Sequence, residues 1–388
     1  MANVKLSNVI RRAQTKVDKD DTDLVFYVGG EHIESENIRV HSRGIIAEST
    51  IGPMFYYGFK AGDFLLVSRN PHLKKAGLVD FDGICSEKTF VLETANSDVL
   101  LPEFLPFVLQ NERFWDYAYR HRHGSTNTFI NWSTLANYEF ELPDLETQRK
   151  LAEVLWSIND TMEAYKNLIS ATDELVKSQF MEQFGDATTN PKGLPTALIR
   201  DVAECYAGAT PSTKVAAYWD DATIPWMSSG EVHNGRVSAT EKKISQAGYD
   251  SCSTKMVPAN SVVIALAGQG KTRGTVAITE IELCTNQSLC CIIPNSSVMS
   301  DYLYYHLKLR YEEMRNLAGI AEGRGGLNLK LIQGIRILVP SKADQEEFIA
   351  FARQSDKSKF AIQCCSNLNL WSCSACHRPK ATDGVSSR

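Results

Sequence analysis

From Leu151 onward, apolar residues recur at positions 151, 155, 158, 162, 165, 169, 172 and 176, alternating four- and three-residue steps, with Thr172 the polar member of the series. That is a heptad seam sustained over more than three repeats, the period of a helix that buries one stripe against a partner helix. It predicts a helix over 146–184, roughly 58 Å long at ~1.5 Å per residue. Gly185 and then Pro191 supply the stop. On either side the texture changes. Short β-branched and aromatic runs at 63–67, 89–92, 261–266 and 289–293, bounded by Gly, Pro and Asn, read as strands. Stretches at 103–119 and 301–317 carry apolar residues at three- and four-residue spacing and read as helices.

These elements come in pairs because the chain repeats itself. Tyr138-Glu-Phe-Glu-Leu-Pro143, followed by Gln148, returns as Ile335-Arg-Ile-Leu-Val-Pro340, followed by Gln345, both at an offset of 197. Gly30-Glu31 returns as Gly230-Glu231, Ala61 as Ala259, and Ile84-Cys85-Ser86 as Leu283-Cys284-Thr285, at offsets of 200, 198 and 199. So long a period signals the tandem duplication of one globular domain plus a connector. The predicted fold is α+β. It has a first domain over 1–145, a central long helix over 146–185, a second domain over 186–342 and the start of a second long helix over 343–363. At the 197 offset, the seam of that helix falls on Phe348, Ala352, Ser355, Lys359, Ile362, Ser366, Asn369 and Cys373. The apolar pattern is lost past Ile362, so residues 364–388 read as an aberrant, disordered tail, produced by a frameshift or truncation near Gln363. With the helix stopping there, the seam from Val176 to Phe184 is expected to lack its partner.

Composition adds little. In 388 residues, 43% are apolar and 22% charged, as in ordinary soluble domains, and the net charge is −5, so any affinity for a polyanion must be local. Of ten cysteines, Cys364, Cys365, Cys373 and Cys376 crowd the tail. The others read as reduced, buried thiols. The N-terminal residues lack a signal-peptide core, and the apolar run at 262–267 is too short to span a bilayer; a soluble, cytoplasmic protein is expected.

Two motifs are false leads. Cys373-Ser-Ala-Cys376-His377 matches a haem-attachment pattern and could supply zinc ligands, but it lies in the tail that departs from the repeat. No metal site is assigned. Gly268-Gln-Gly270-Lys271-Thr272 approaches a P-loop, but Ala265 stands where the pattern needs glycine, and a strand follows where a helix should. A glycine-rich loop between strands suits reaching into a DNA groove. Lys and Arg can meet phosphates or guanine edges and Gln can meet adenine, so Gln269, Lys271, Thr272 and Arg273 are candidate contacts. The first copy offers Arg69, Lys74 and Lys75 in one basic loop, and Arg120 and Arg122 in another. The second copy answers with Lys308, Arg310, Arg315 and Arg324, of which Arg324 joins the candidate set. Phe114, Trp115, Tyr117 and Tyr119 read as helix core. No spacing supplies a nucleophile–base pair or a carboxylate cluster, so no catalytic residue is assigned.

With Leu142-Pro143 to Gln148, Val339-Pro340 to Gln345, Asn70-Pro-His-Leu-Lys-Lys, Phe81-Asp-Gly-Ile-Cys-Ser86 and Gly268-Gln-Gly-Lys271 in view, residues 1 to 362 resemble the DNA-specificity subunit of type I restriction-modification systems. The resemblance implies two target recognition domains in a pseudo-twofold arrangement, joined by long coiled-coil-like helices, with no catalytic centre. It further implies two modification subunits that methylate adenine, and ATP-dependent restriction subunits as partners. S-adenosylmethionine, ATP and magnesium would belong to those partners, and Glu153, Lys166, Glu174 and Lys177 on the outer helix surface would dock them. Two divergent domains on a stiff helix pair would act as a caliper, reading an asymmetric bipartite target. The alternative is a stand-alone DNA-binding or scaffold protein with duplicated domains.

Overall fold

The computed structural model describes residues 2–268, 270–317 and 326–373, with the last helix given as backbone from residue 360 on. Two compact units, Met1–Ala164 and Tyr165–Arg388, divide within the central helix.

In the first unit, Phe64–Val67 and Thr89–Thr94 form the middle of a four-stranded antiparallel sheet, flanked by Ile10–Ala13 and Ala76–Leu78. Phe64, Leu66, Phe90 and Leu92 face a core containing Phe114 and Trp115, whereas Leu65, Val67 and Val91 face Val28, Phe59 and Cys85. Burial on both faces explains why these strands read as unbroken apolar runs. A second sheet runs in the order Gly44–Ile45, Phe26–Val28, Gly83–Ser86 and Phe55–Phe59, with its two central strands parallel. Ala2–Lys5 pairs with Glu139–Leu142 just before the helix.

The second unit repeats this plan. Ala203–Ala207, Leu289–Pro294, Val262–Ala265, Val276–Thr279 and Arg236–Val237 form the first sheet. Lys242–Ile244, Ile224–Met227 and Cys284–Thr285 form the second, again with a parallel pair. Thr196–Leu198 pairs with Arg336–Leu338. The α+β class and the tandem domains follow directly.

The helices expected over 103–119 and 301–317 are each two helices. Leu105–Leu109 is followed by Glu112–Arg120, and Ser300–Lys308 by Tyr311–Asn316. In the first copy the restart has a visible cause: the Asn111 side chain accepts from the Arg113 N–H and caps the new helix. Apolar spacing alone does not see such a break. Phe114 and Trp115 are core, Tyr117 is half-buried and Tyr119 is exposed.

The central helix spans Leu145–Phe184. Asp144 accepts from Thr147 N at its start, and Gly185, at φ 78°, ends it. Leu151, taken above as the first seam residue, is 41% exposed, while Ala152 and Gln148 are buried; the buried stripe enters the first domain one residue over. In the second unit, Val176, Phe180 and Phe184 are buried, with Phe348 5.4 Å from Phe180 and 5.6 Å from Phe184. Gln183 donates to the Asp344 carbonyl and Lys359 pairs with Asp173. The two helices therefore run antiparallel. The seam expected to lack a partner is covered by the start of the second helix, because antiparallel packing sets the end of one against the beginning of the other. Phe348, Ala352 and Ser355 are buried as the offset predicts. The second helix spans Lys342–Cys373, ten residues past Gln363. Cys376, His377 and the rest of 374–388 lie outside the described residues, as do the side chains of Ile362, Cys364, Cys365, Ser366, Asn369 and Cys373.

The repeated Leu-Pro or Val-Pro then Gln motif is a structural joint. Gln148 is fully buried; its Oε1 accepts from Leu101 N at 2.9 Å, and its Nε2 donates to the carbonyls of Val99 and Pro143, both at 2.8 Å. Gln345 does the same: Oε1 accepts from Met299 N at 2.8 Å, and Nε2 donates to Ser297 O at 3.2 Å and Pro340 O at 3.0 Å. One amide on each helix thus satisfies three backbone groups of the domain before it.

Candidate nucleic-acid interface

In the second unit, Val262–Ala265 and Val276–Thr279 form an antiparallel hairpin whose connection carries Gly268, Gly270 and Gly274 at positive φ. A Cβ on Gly268, at φ 144°, would lie 2.7 Å from Thr272 Cβ, so the loop's fold demands glycine there. Thr275 Oγ1 and Tyr311 OH donate to the Lys271 carbonyl at 2.6 and 3.0 Å, which fixes its backbone while its side chain is exposed. Thr272 Oγ1 lies 3.1 Å from His233 Nε2. The strand-to-strand geometry removes the P-loop reading.

Beside this loop opens a cleft of about 900 Å³, lined by His233 and by the cations Arg236, Lys271, Lys308 and Arg315 among others. Glu280, Glu312 and Asp356 interrupt the positive lining. Arg236 is committed to Asp301, 2.6 Å from Nη2. Burial alone would raise the Asp301 carboxyl, but hydrogen bonds from Arg353 and Arg236 hold it below its ordinary range. Arg310, offered above as part of the basic answer in this copy, is spent: it grips Glu313 through Nε and Nη2 at 2.8 and 2.5 Å and donates to Arg336 O at 2.7 Å. Arg273 is half-buried, and its Nε has no hydrogen-bond partner among the described residues. Gln269 and Arg324 lie outside the described residues.

In the first unit, the 69–75 loop joins Phe64–Val67 to Ala76–Leu78, and two of its cations are braced. Lys74 Nζ lies 2.9 Å from Glu36 and 2.6 Å from Glu112, and those bonds raise its pKa. Lys75 Nζ donates to Gly30 O at 2.5 Å. Arg69 bridges Phe129 through its backbone, with its guanidinium 5.1 Å from that ring. Asn70 N donates to Thr128 O and Ile130 N to Ser68 O, so the loop lies alongside the 123–130 segment. This sets the loop carrying Arg69 against the segment that directly follows Arg120 and Arg122, some fifty residues later in sequence. Arg122 folds back over the Tyr119 ring at 3.8 Å, and Arg120 stands exposed at the end of Glu112–Arg120.

Both units therefore set a hairpin loop against the helix that follows the break: Lys74 with Glu112, and the Lys271 carbonyl with Tyr311. Sequence reading missed His233 and Arg236 as cleft residues; the match of Arg236 to Arg39 appears only in the strand register, beside Ile278 and Leu78. Such an arrangement can hold a polyanion. Among the described residues, no group of three or more His, Cys, Asp or Glu could hold a metal ion, and no helix is long and apolar enough to cross a membrane.

A sequence model described as the type I restriction modification DNA specificity domain matches residues 11–171 and 191–363. The type I restriction enzyme HindI specificity subunit of Haemophilus influenzae is 22% identical over 361 residues, covering 73% of this chain and 78% of that protein. The MjaIX specificity subunit of Methanocaldococcus jannaschii is 28% identical over 183 residues, which is 45% of this chain and 40% of that protein. The crystal structure of the type I restriction-modification S subunit from M. genitalium shares the fold, with a TM-score of 0.57 at 12% identity over 95% of this chain and 92% of that one. With one matched span on each copy of the repeat, covering most of the chain between them, the protein belongs to the type I restriction-modification DNA specificity domain family.

Proposed function

We propose that the chain is the sequence-reading subunit of a type I restriction-modification complex, binding one half of a split, asymmetric DNA target with each domain. The observation that carries this is the duplicated architecture. Each copy presents a hairpin loop against a short helix, and each copy is locked by a buried glutamine to a long helix. Because the copies differ in sequence, the half-sites differ too. Reading then depends on the second-copy cleft around Lys271 and on the Arg69, Arg120 and Arg122 face of the first copy. Backbone phosphates supply affinity and base edges supply specificity. Lys74 and Lys75 brace their loop, and Gln269, Thr272, Arg273 and Arg324 are the further contacts proposed for the second copy.

The subunit itself is non-catalytic. Two modification subunits carrying S-adenosylmethionine, and restriction subunits using ATP and magnesium, would dock on the outer helix surface, which includes Glu153, Lys166, Glu174 and Lys177, all exposed. Its setting would be the cytoplasm. Residues 364–388 stand outside the reading machinery, consistent with a family match that stops at 363. Methylome sequencing of cells expressing the chain with its modification subunit tests the reading. A split motif with a fixed unread spacer is expected, and methylation at one continuous motif, or none, overturns it.

A further inference from the structure

Two corresponding positions are linked in both copies, directly in the first and through a carboxylate in the second. Arg39 and Arg236 hold the same register, each beside the matching strand in parallel, at Leu78 and at Ile278, and Trp156 on the central helix corresponds to Arg353 on the second helix at the 197 offset. In the first unit the Arg39 guanidinium lies 4.5 Å from the centroid of Trp156, with Nη1 2.6 Å from Asp160 and 2.8 Å from Glu163. Positions 156, 160 and 163 share one helix face. In the second unit two arginines stand at these positions, and Asp301 joins them: Oδ1 accepts from Arg236 Nη2 at 2.6 Å, and Oδ2 from Arg353 Nη2 at 2.7 Å. Exposed ion pairs contribute little. In each cluster one carboxylate is sheltered, the Glu163 side chain 19% exposed and that of Asp301 10%, while Asp160 and Arg353, at 58% and 51%, lie toward solvent. A contact kept at matching positions while its groups change points to the place of attachment, rather than to any one bond, as what matters.

The place has mechanical meaning. The glutamine joint alone would let a domain rock about the base of its helix. The Arg39 attachment lies 8 to 15 residues further along, about 12 to 22 Å at ~1.5 Å per residue. Two separated fastenings fix an angle that one cannot. We propose that Arg39 and Arg236 are positioning residues that set the angle of each reading domain on its helix, and with it the half-site spacing the protein accepts. This rests on the two-half-site reading above. One added base pair moves a half-site by ~3.4 Å and turns it about the duplex axis, and domains held at fixed angles refuse both.

The test compares methylomes of cells expressing the modification subunit with wild type, Arg39→Met, Arg236→Met, or the corresponding Arg→Lys variants. Wild type should methylate a single spacer length. The methionine variants should keep the half-site bases but methylate sites with a spacer one base pair longer or shorter about tenfold above wild type. The lysine variants should fall between, since lysine keeps the charge but cannot stack and bridge as a planar fork does. If a methionine variant fails to accumulate, Asp160→Asn and Arg353→Met carry the same expectation. An unchanged spacer with uniformly weaker methylation would make the contacts merely stabilising, and altered half-site bases would make the arginines base readers; either overturns the proposal. The absence of a split motif from wild type would instead overturn the two-half-site reading, and this inference with it.

Discussion

Gln148 and Gln345 show how much one side chain can decide. Each is buried, and each satisfies one backbone N–H and two carbonyls that belong to chain segments far apart. A buried group left unpaired costs about 1–3 kcal/mol. Gln345→Ala should therefore lower unfolding free energy by about 2–4 kcal/mol, read as a shifted urea midpoint. His306 makes a second case. Leu338 N donates to its Nε2 at 3.1 Å, so the ring proton sits on Nδ1, a buried atom with no partner among the described residues. Burial, reinforced by Arg310, pushes its pKa down from 6.5 to about 3. The folded ring stays neutral while the unfolded one takes a proton below 6.5. The stability it contributes is full above that pH and falls as pH drops toward 3, at up to about 1.4 kcal/mol per unit. Melting at stepped pH should show this loss, and His306→Gln should flatten the slope between pH 6 and 4. Equal slopes in both proteins would contradict it. The offset marked both glutamines as special; nothing local in the sequence marked His306, whose burial is created by Phe180 and Tyr302.

Among elements, the central helix was the most legible, predicted over 146–184 and found at Leu145–Phe184, because its seam and its glycine stop are local signals. Which seam residues matter was not. Leu151, the first residue of the seam, is 41% exposed, whereas Phe180 packs against Tyr302, His306 and Phe348; Leu175, off the seam, is 54% exposed as the spacing implies. Phe180→Ala should cost about 3–5 kcal/mol, and Leu175→Ala about 0.5 kcal/mol or less, by thermal or urea unfolding. The strands were legible because sheets buried on both faces leave continuous apolar runs. The breaks near 110 and 309 were not, because the apolar spacing continues across them while the backbone restarts.

For the whole molecule, the relevant charge is local. A net charge of −5 coexists with a cleft that gathers Lys271, Lys308 and Arg315. On a duplex carrying the motif found by methylome sequencing, Lys271→Ala should weaken binding and lower the slope of log affinity against log salt by about one. A loss of discrimination at one base with the slope unchanged would instead make Lys271 a base reader. Lys74→Ala should act mainly on stability, because that ammonium is already paired with Glu36 and Glu112.

Sequence alone determined the duplication, the α+β texture, the long helix and the family, since periodicity and repetition are written along the chain. Tertiary structure decided which cations face outward and which are spent. Lys74 meets carboxylates 38 positions away on either side, and Arg236 meets Asp301 across 65 positions. It also decided that the seam from Val176 to Phe184 has its cover, because antiparallel packing matches the end of one helix to the start of another. Charge pairing and helix pairing depend on neighbours in space, and a composition or a spacing records only neighbours in sequence.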